Sequence, residues 1–285
     1  MPFASIDGRR YHYQRMGQGP DLVFIHGITG DLSIWMLCEA LQSLSKAYRV
    51  TAYDLRGHGY SDAPPTGYTS ADHVVDLFGL MDILEIEHTS IVGHSFGGVI
   101  GAHAAVVAPA RVDSLVLSDP YFPALRHLED VSKWGHWQVF CDEARQAGVE
   151  LSDEHWYDVG RFFDQILHMD GDRLLDLRRA VGLPAVNRLI RLSKTTCGDD
   201  TKVPAGLTAE KLHAINVKTL AVYGEFSPFL ATADHLVANL PDCRRAIVTG
   251  AKHRAPEENP RGFVRILQDF YLGGNHSLIE VGAVA

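Results

Sequence analysis

A single serine flanked by glycines is the first candidate for chemistry in this 285-residue chain. Ser95 lies in the pattern Gly-x-Ser-x-Gly, formed with Gly93 and Gly97. A short apolar run precedes it and small apolar residues follow it, which predicts a strand, a sharp turn and a helix. The glycines let the strand and the helix approach closely, and they let the serine take a strained backbone conformation. Its hydroxyl would then project beside helix N-terminal amides that can stabilise an oxyanion, although such a serine can also merely cap a helix.

Any of the 15 histidines could in principle accept a proton from that hydroxyl, and two of them follow predicted strands in suitable loops. His253 follows the last predicted strand, in a loop from which its ring can turn toward Ser95. His26 follows an earlier apolar strand and precedes Gly27, and we interpret its ring as a brace for that loop. The sequence therefore favours His253 as the general base.

An acid that orients the base is predicted on the strand next to the nucleophile. Asp119 ends the apolar run of residues 115–118, so its carboxylate is expected at the same edge of the sheet as Ser95. The alternative is that Asp119 only caps the turn before Pro120.

The elements that must position these residues alternate along the chain. Strands are predicted at residues 22–25, 49–53, 89–92, 115–117, 218–223 and 245–248, after a hairpin at residues 3–7 and 11–16. Helical patterns separate them, including an amphipathic stretch at 35–44. Another helix, at 69–84, has Thr69 as its cap and an apolar pattern formed by Val74, Val75, Phe78, Met81 and Leu84. Such alternation predicts a mainly parallel sheet with helices on both faces. The charged loop at 54–62 is interpreted as structural.

The alternation stops between residues 121 and 212, where helical spacing replaces apolar strands. Three of the four tryptophans, Trp134, Trp137 and Trp156, lie in this segment and are candidates for binding a bulky apolar or aromatic substrate. They could equally serve only to fix the segment to the core. We therefore predict a core at 1–120 and 213–272, a helical cap at 121–212 and a C-terminal tail at 273–285.

Composition narrows the classes of partner. The formal net charge is −9 and no run of basic residues occurs, which argues against a nucleic-acid partner. The four cysteines are widely separated, so neither a structural zinc site nor a disulfide framework is expected. No stretch resembles a signal peptide or a membrane span. These features predict a cytoplasmic protein that acts on a small molecule, with a homodimer as one possible assembly.

Four motifs in order resemble the α/β-hydrolase superfamily, and the similarity covers nearly all of residues 3–272 outside the cap. They are His26-Gly27, the loop at 54–61, the serine motif at 93–98 and the loop at 250–253. The resemblance implies an eight-stranded, mainly parallel α/β-hydrolase sheet with an inserted helical cap. A serine at the elbow distinguishes the chain from the branches that use a carboxylate nucleophile.

The resemblance also assigns roles, with one departure from the usual pattern. It implies that Ser95 is the nucleophile and His253 the base, and that the backbone amides of Ile28 and Phe96 form the oxyanion hole. Most relatives carry the acid a few residues after the seventh strand, where this chain has Ser227. Glu225 and Asp234 do not match that position, so Asp119 is the better acid, as in zearalenone-type lactone hydrolases. We accordingly expect Ser227→Ala to cost little.

The predicted function is a cofactor-free and metal-free serine hydrolase that cleaves a carboxylic ester or lactone through an acyl-enzyme. A first alternative keeps the site but changes the reaction to C–C bond hydrolysis, thioester cleavage or a lyase or cyclase step. A second alternative is a non-catalytic small-ligand receptor, suggested by the missing aspartate after the seventh strand.

Overall fold

An eight-stranded sheet forms the centre of the protein in a computed structural model that describes residues 1–154, 156 and 158–273. The strand order is β1-β2-β4-β3-β5-β6-β7-β8. The first pairing (β1·β2) and the β2·β4 pairing are antiparallel, and the remaining pairings are parallel. The strands are β1 Phe3–Ile6, β2 Arg9–Met16, β3 Asp21–Ile25, β4 Arg49–Tyr53, β5 Thr89–His94, β6 Val112–Ser118, β7 Lys218–Gly224 and β8 Cys243–Val248.

The central strands are buried on both faces because helices cover the sheet on each side. Continuous apolar runs such as those of β3 and β5 are typical of such strands. The helices of the core are α1 Ser33–Leu37, α2 Ala40–Leu44, α3 Ser70–Ile83, α4 Phe96–Val107, α10 Ala209–His213, α11 Leu230–Asn239, α12 Ala255–Glu258 and α13 Pro260–Leu272. One apolar cluster joins α3, α4, α10 and α11 to the sheet, and another joins α1, α2, α12 and α13 to its opposite face. The predicted α/β-hydrolase sheet is confirmed.

The segment between β6 and β7 folds as helices above the carboxyl edge of the sheet. It contains α5 Trp137–Gln146, α6 Val159–Leu167, α7 Gly171–Val181, α8 Leu183–Ser193 and α9 Cys197–Asp200, besides short 3-10 turns at Pro123–Leu128 and Val131–Lys133. Its helices have an apolar cluster of their own, which includes Phe163, Ile166 and Leu189. The division of the chain into core and cap remains a prediction, and the predicted tail lies outside the described residues except for Gly273.

Several local predictions differ from the structure. The amphipathic stretch at 35–44 is two short helices, because Glu39 takes a left-handed conformation (φ 64°) between them. In α3, Thr69 forms the expected cap, but Val75 faces solvent while Leu77 and Leu80 are buried.

None of the described helices combines the length and apolar composition that crossing a bilayer requires.

Candidate active site

Ser95 occupies a strained turn between β5 and α4. Its φ is 53° and its ψ is −122°, a conformation that L-residues seldom adopt. The turn is tight: a Cβ at position 93 would lie 2.2 Å from the Gly97 carbonyl oxygen, and one at position 97 would lie 2.2 Å from that of Ile25. Only glycine fits at either position, so the sequence pattern itself forces the serine out at the sheet edge.

Ser95, His253 and Asp119 form a continuous hydrogen-bonded chain. His253 Nε2 lies 3.0 Å from Ser95 Oγ, and His253 Nδ1 lies 2.9 Å from Asp119 Oδ1. The three residues come from positions up to 158 apart, and they meet because β5, β6 and β8 end at one edge of the sheet. Since the carboxylate accepts from Nδ1, Nε2 is left free to take the serine proton.

Asp119 is fully buried, with none of its surface exposed. Its carboxylate accepts three hydrogen bonds, from the His253 ring, the Gly224 backbone amide (2.9 Å) and the Ser227 hydroxyl (2.7 Å). These three donors supply hydrogen bonds to a carboxylate whose burial without partners would be costly. The hydrogen bond from Ser227 to Asp119 was not expected when we predicted a small cost for Ser227→Ala, and it gives a physical reason to expect a larger one.

The other carboxylates considered for this role have partners elsewhere. Glu225 accepts a hydrogen bond from the Gly250 amide at 2.8 Å, and Asp234 forms an ion pair with Arg245. Neither therefore competes with Asp119 for the His253 ring in this structure.

His94, inside the serine motif, makes a hydrogen bond that the sequence did not predict. Its Nε2 donates to the backbone carbonyl of His253 at 2.9 Å and so fixes the loop that carries the base. Burial lowers the pKa of His94 to about 3, so its ring is neutral and keeps a single tautomer near neutral pH. No local signal predicts this bond, because its partners are 159 residues apart.

Two buried histidines fasten the loop that follows β3. The His26 ring donates to the Gly27 carbonyl and accepts from the Leu55 amide, so it braces the loop as expected. The His58 ring accepts from the Thr29 amide at 3.2 Å. Burial lowers the pKa of both rings, which keeps them neutral and able to accept. This network fixes the loop that presents Ile28 to the site.

Ile28 and Phe96 both line a pocket of about 480 Å³ in front of Ser95 and His253. Phe96 is the first residue of α4, where a backbone amide has no acceptor within the helix. The predicted oxyanion donors therefore border the space in which a substrate carbonyl would lie.

Aromatic side chains line a large part of this pocket. Trp156 stacks on Phe229 with ring centroids 5.5 Å apart, and Phe229 meets the His253 ring edge-on at 5.2 Å. The remaining aromatic lining residues are Phe96, Tyr121, Trp134, Trp137 and Phe140. Polar side chains also border the pocket: Glu143, Thr201, Lys202, Lys252, Arg254 and Glu258.

The three cap tryptophans lie at the pocket, and two of them are also anchored. Trp134 donates its indole N–H to the Phe226 carbonyl at 2.8 Å, and Trp137 donates to the Asp153 carboxylate. Trp137 is 9% exposed and packs against Val131 in a small apolar cluster. Both interpretations of these residues, as pocket wall and as cap anchor, thus have a contact in their favour.

Comparison with known proteins identifies the family. The α/β-hydrolase fold model matches residues 20–150. A curated relative, the dihydrolipoyllysine-residue acetyltransferase component of the acetoin cleaving system of Cupriavidus necator, is 31% identical over 274 residues. That alignment covers 95% of this chain and 69% of the relative. The chain belongs to the α/β-hydrolase superfamily. It is an enzyme.

Solved structures extend the similarity of fold to almost the whole chain. An enol-lactonase from Burkholderia xenovorans has a TM-score of 0.68 and 23% identity, over 96% of this chain and all of that one. A meta-cleavage product hydrolase from Pseudomonas fluorescens has a TM-score of 0.68 and 23% identity, over 96% of this chain and 98% of that one. Both similarities concern the fold.

Proposed function

We propose that this α/β-hydrolase cleaves a carboxylic ester or lactone through an acyl-enzyme at Ser95. The observation that carries the proposal is the hydrogen-bonded chain from Ser95 Oγ through the His253 ring to Asp119, with bond lengths of 3.0 and 2.9 Å. A buried carboxylate, a correctly oriented imidazole and a hydroxyl at the border of a pocket are the parts that nucleophilic acyl transfer requires.

The first half of the reaction forms the acyl-enzyme. Ser95 Oγ attacks the carbonyl carbon while His253 Nε2 takes its proton, and Asp119 stabilises the imidazolium that forms. The carbonyl oxygen becomes negatively charged and accepts hydrogen bonds from the amides of Ile28 and Phe96. His253 then protonates the leaving oxygen as the bond to the acyl carbon breaks.

The second half releases the acid. His253, neutral again, removes a proton from a water molecule that attacks the acyl carbon, and the proton passes to Ser95 Oγ as the acyl group leaves. For a lactone, alcohol and acid remain in one product molecule.

The proposed substrate carries a bulky apolar or aromatic group. The aromatic wall next to His253 supplies a flat, apolar surface, and a pocket of about 480 Å³ accommodates a small molecule rather than a polymer. The fold similarity to an enol-lactonase agrees with a lactone among the candidate substrates.

The test is a panel of aryl esters, lactones, acyl thioesters and vinylogous diketones, assayed side by side with the wild type and Ser95→Ala. The proposal requires ester or lactone hydrolysis by the wild type that Ser95→Ala lacks. A fluorophosphonate probe should label the wild type and not the variant. Turnover of the panel by Ser95→Ala at the wild-type rate would contradict the nucleophile assignment.

C–C bond hydrolysis is the second candidate function, since the same fold occurs in a meta-cleavage product hydrolase. The diketone in the panel distinguishes it. The receptor hypothesis rested on the absence of an aspartate after the seventh strand. The hydrogen bond between Asp119 and His253 makes that absence a weaker argument for it. A cytoplasmic location and a homodimer remain predictions.

A further inference from the structure

We propose that Ser227 is a positioning residue that orients both the acid and the aromatic wall around His253. The inference builds on the proposed function, because it concerns the same catalytic chain. Ser227 stands after β7, where most relatives carry the acid itself, and its side chain is 3% exposed. Its hydroxyl makes two hydrogen bonds, and each leads to the His253 ring by a different route.

The first route runs through the carboxylate. Ser227 Oγ donates to Asp119 Oδ1 at 2.7 Å, and the same oxygen accepts from His253 Nδ1 at 2.9 Å. Asp119 Oδ2 is held separately by the Gly224 amide. The carboxylate is therefore fixed at both oxygens, and it cannot turn about its Cβ–Cγ bond without losing a charge-assisted hydrogen bond.

The second route runs through the backbone. Ser227 Oγ accepts from the Phe229 amide at 3.0 Å, and the Phe229 ring lies edge-on to the His253 ring. Phe229 also stacks on Trp156, which lines the pocket. The serine hydroxyl thus connects the acid to the segment that limits how far the imidazole can rotate.

A neutral group that both donates and accepts is required at this position. An aspartate there would place a second carboxylate next to Asp119, and two buried like charges cannot both stay ionised. An alanine would leave a carboxylate oxygen one donor short and the Phe229 amide without its acceptor. Ser227 therefore supplies the donor that an acid at the end of β6 requires and the acceptor that the Phe229 amide requires.

The test compares Ser227→Ala with the conservative variant Ser227→Thr, which keeps a hydroxyl. We expect Ser227→Ala to label with a fluorophosphonate about 10 to 150 times more slowly than the wild type, the range that one hydrogen bond to a charged group supports. Ser227→Thr should recover most of the rate. In a steady-state assay the loss should fall on kcat and leave KM within about twofold, since the substrate contacts are unchanged.

A second readout does not depend on catalysis. The proton on His253 Nδ1, held by a buried carboxylate, gives a downfield ¹H NMR resonance that Asp119→Asn should abolish. Ser227→Ala should shift or broaden this resonance. The control is Ser114→Ala, which removes a different buried serine hydrogen bond, from Ser114 on β6 to Ser90 on β5 (2.8 Å), and should change neither the resonance nor the labelling rate.

The outcomes separate the two hypotheses. A wild type that never labels would contradict the proposed hydrolase function, and the resonance alone would then decide the role of Ser227. If Ser227→Ala leaves the resonance unmoved, or labels as fast as an active wild type, Ser227 does not position the acid.

Discussion

Asp119→Asn is the substitution that most directly tests the placement of the acid on β6. The asparagine has nearly the same shape, but one of its two terminal groups is now a donor. If its oxygen takes the place of Oδ2, near the Gly224 amide, its NH₂ faces His253 Nδ1 and forces the proton onto Nε2. That tautomer cannot accept the Ser95 proton.

The opposite amide orientation is also unfavourable. With its oxygen toward His253, the asparagine points its NH₂ at the Gly224 N–H, so a buried donor meets a donor at a cost of about 1–3 kcal/mol. Either orientation also loses the charge that stabilises the imidazolium. We expect kcat/KM to fall by roughly 10⁴, which corresponds to about 5 kcal/mol of transition-state stabilisation.

The assay is kcat/KM on the best substrate of the panel, or the fluorophosphonate labelling rate, with urea denaturation to establish that the variant is folded. Ser227→Asp in the Asp119→Asn background should restore about tenfold, or about 1.4 kcal/mol, because it returns a carboxylate to the same buried region. A fully active Asp119→Asn beside a crippled Glu225→Gln or Ser227→Ala would refute our placement of the acid.

Three further predictions follow from the described contacts. Ser95→Ala should lose at least a thousandfold in turnover and should keep ligand binding, which equilibrium titration measures. The double variant with His253→Ala should lose little more turnover than Ser95→Ala alone, because the two residues act as a unit. Trp134→Ala should change the ranking of substrates with little change in melting temperature. Trp137→Ala should also change the ranking, and because Trp137 is buried it should cost about 3 kcal/mol of stability. Equal rankings in the wild type and Trp134→Ala would favour a purely structural role for Trp134. Burial lowers the pKa values of His26, His58, His73 and His94 below 6.5, so on acidification the unfolded chain binds protons before the folded one does. Stability should therefore fall as pH drops from about 6.5, by about 1.4 kcal/mol per pH unit for each histidine still neutral in the folded state, and equal urea midpoints at pH 7 and 5 would contradict this.

The sequence predicted the elements whose signals are local. The strand predicted at 49–53 has the same bounds as β4, and a threonine before a helical pattern located the start of α3. The glycine spacing around Ser95 predicted the elbow because part of the steric requirement, the close approach of positions 93 and 97, lies within the motif itself.

Local sequence signals failed to predict features that depend on residues far apart in the chain. Glu39 breaks the stretch at 35–44 without a glycine or proline to announce it. The solvent-facing side of α3 at Val75 depends on which side packs against the sheet. The bonds from His94 to the His253 carbonyl and from Ser227 to Asp119 join residues more than 100 positions apart, so only the fold brings them together.

The position of Asp119 shows how a sequence motif can be absent while a carboxylate still reaches the same histidine ring. In the parallel ladder, the Asp119 amide donates to the Val222 carbonyl at 2.8 Å, and the Gly224 amide donates back to the Asp119 carboxylate. The ends of β6 and β7 therefore border the same small space beside His253. What the imidazole requires is a negative charge at one point in that space, and either strand end can supply it. The departure from the usual pattern at Ser227 thus moves the carboxylate between neighbouring strands, and the serine becomes its hydrogen-bond donor.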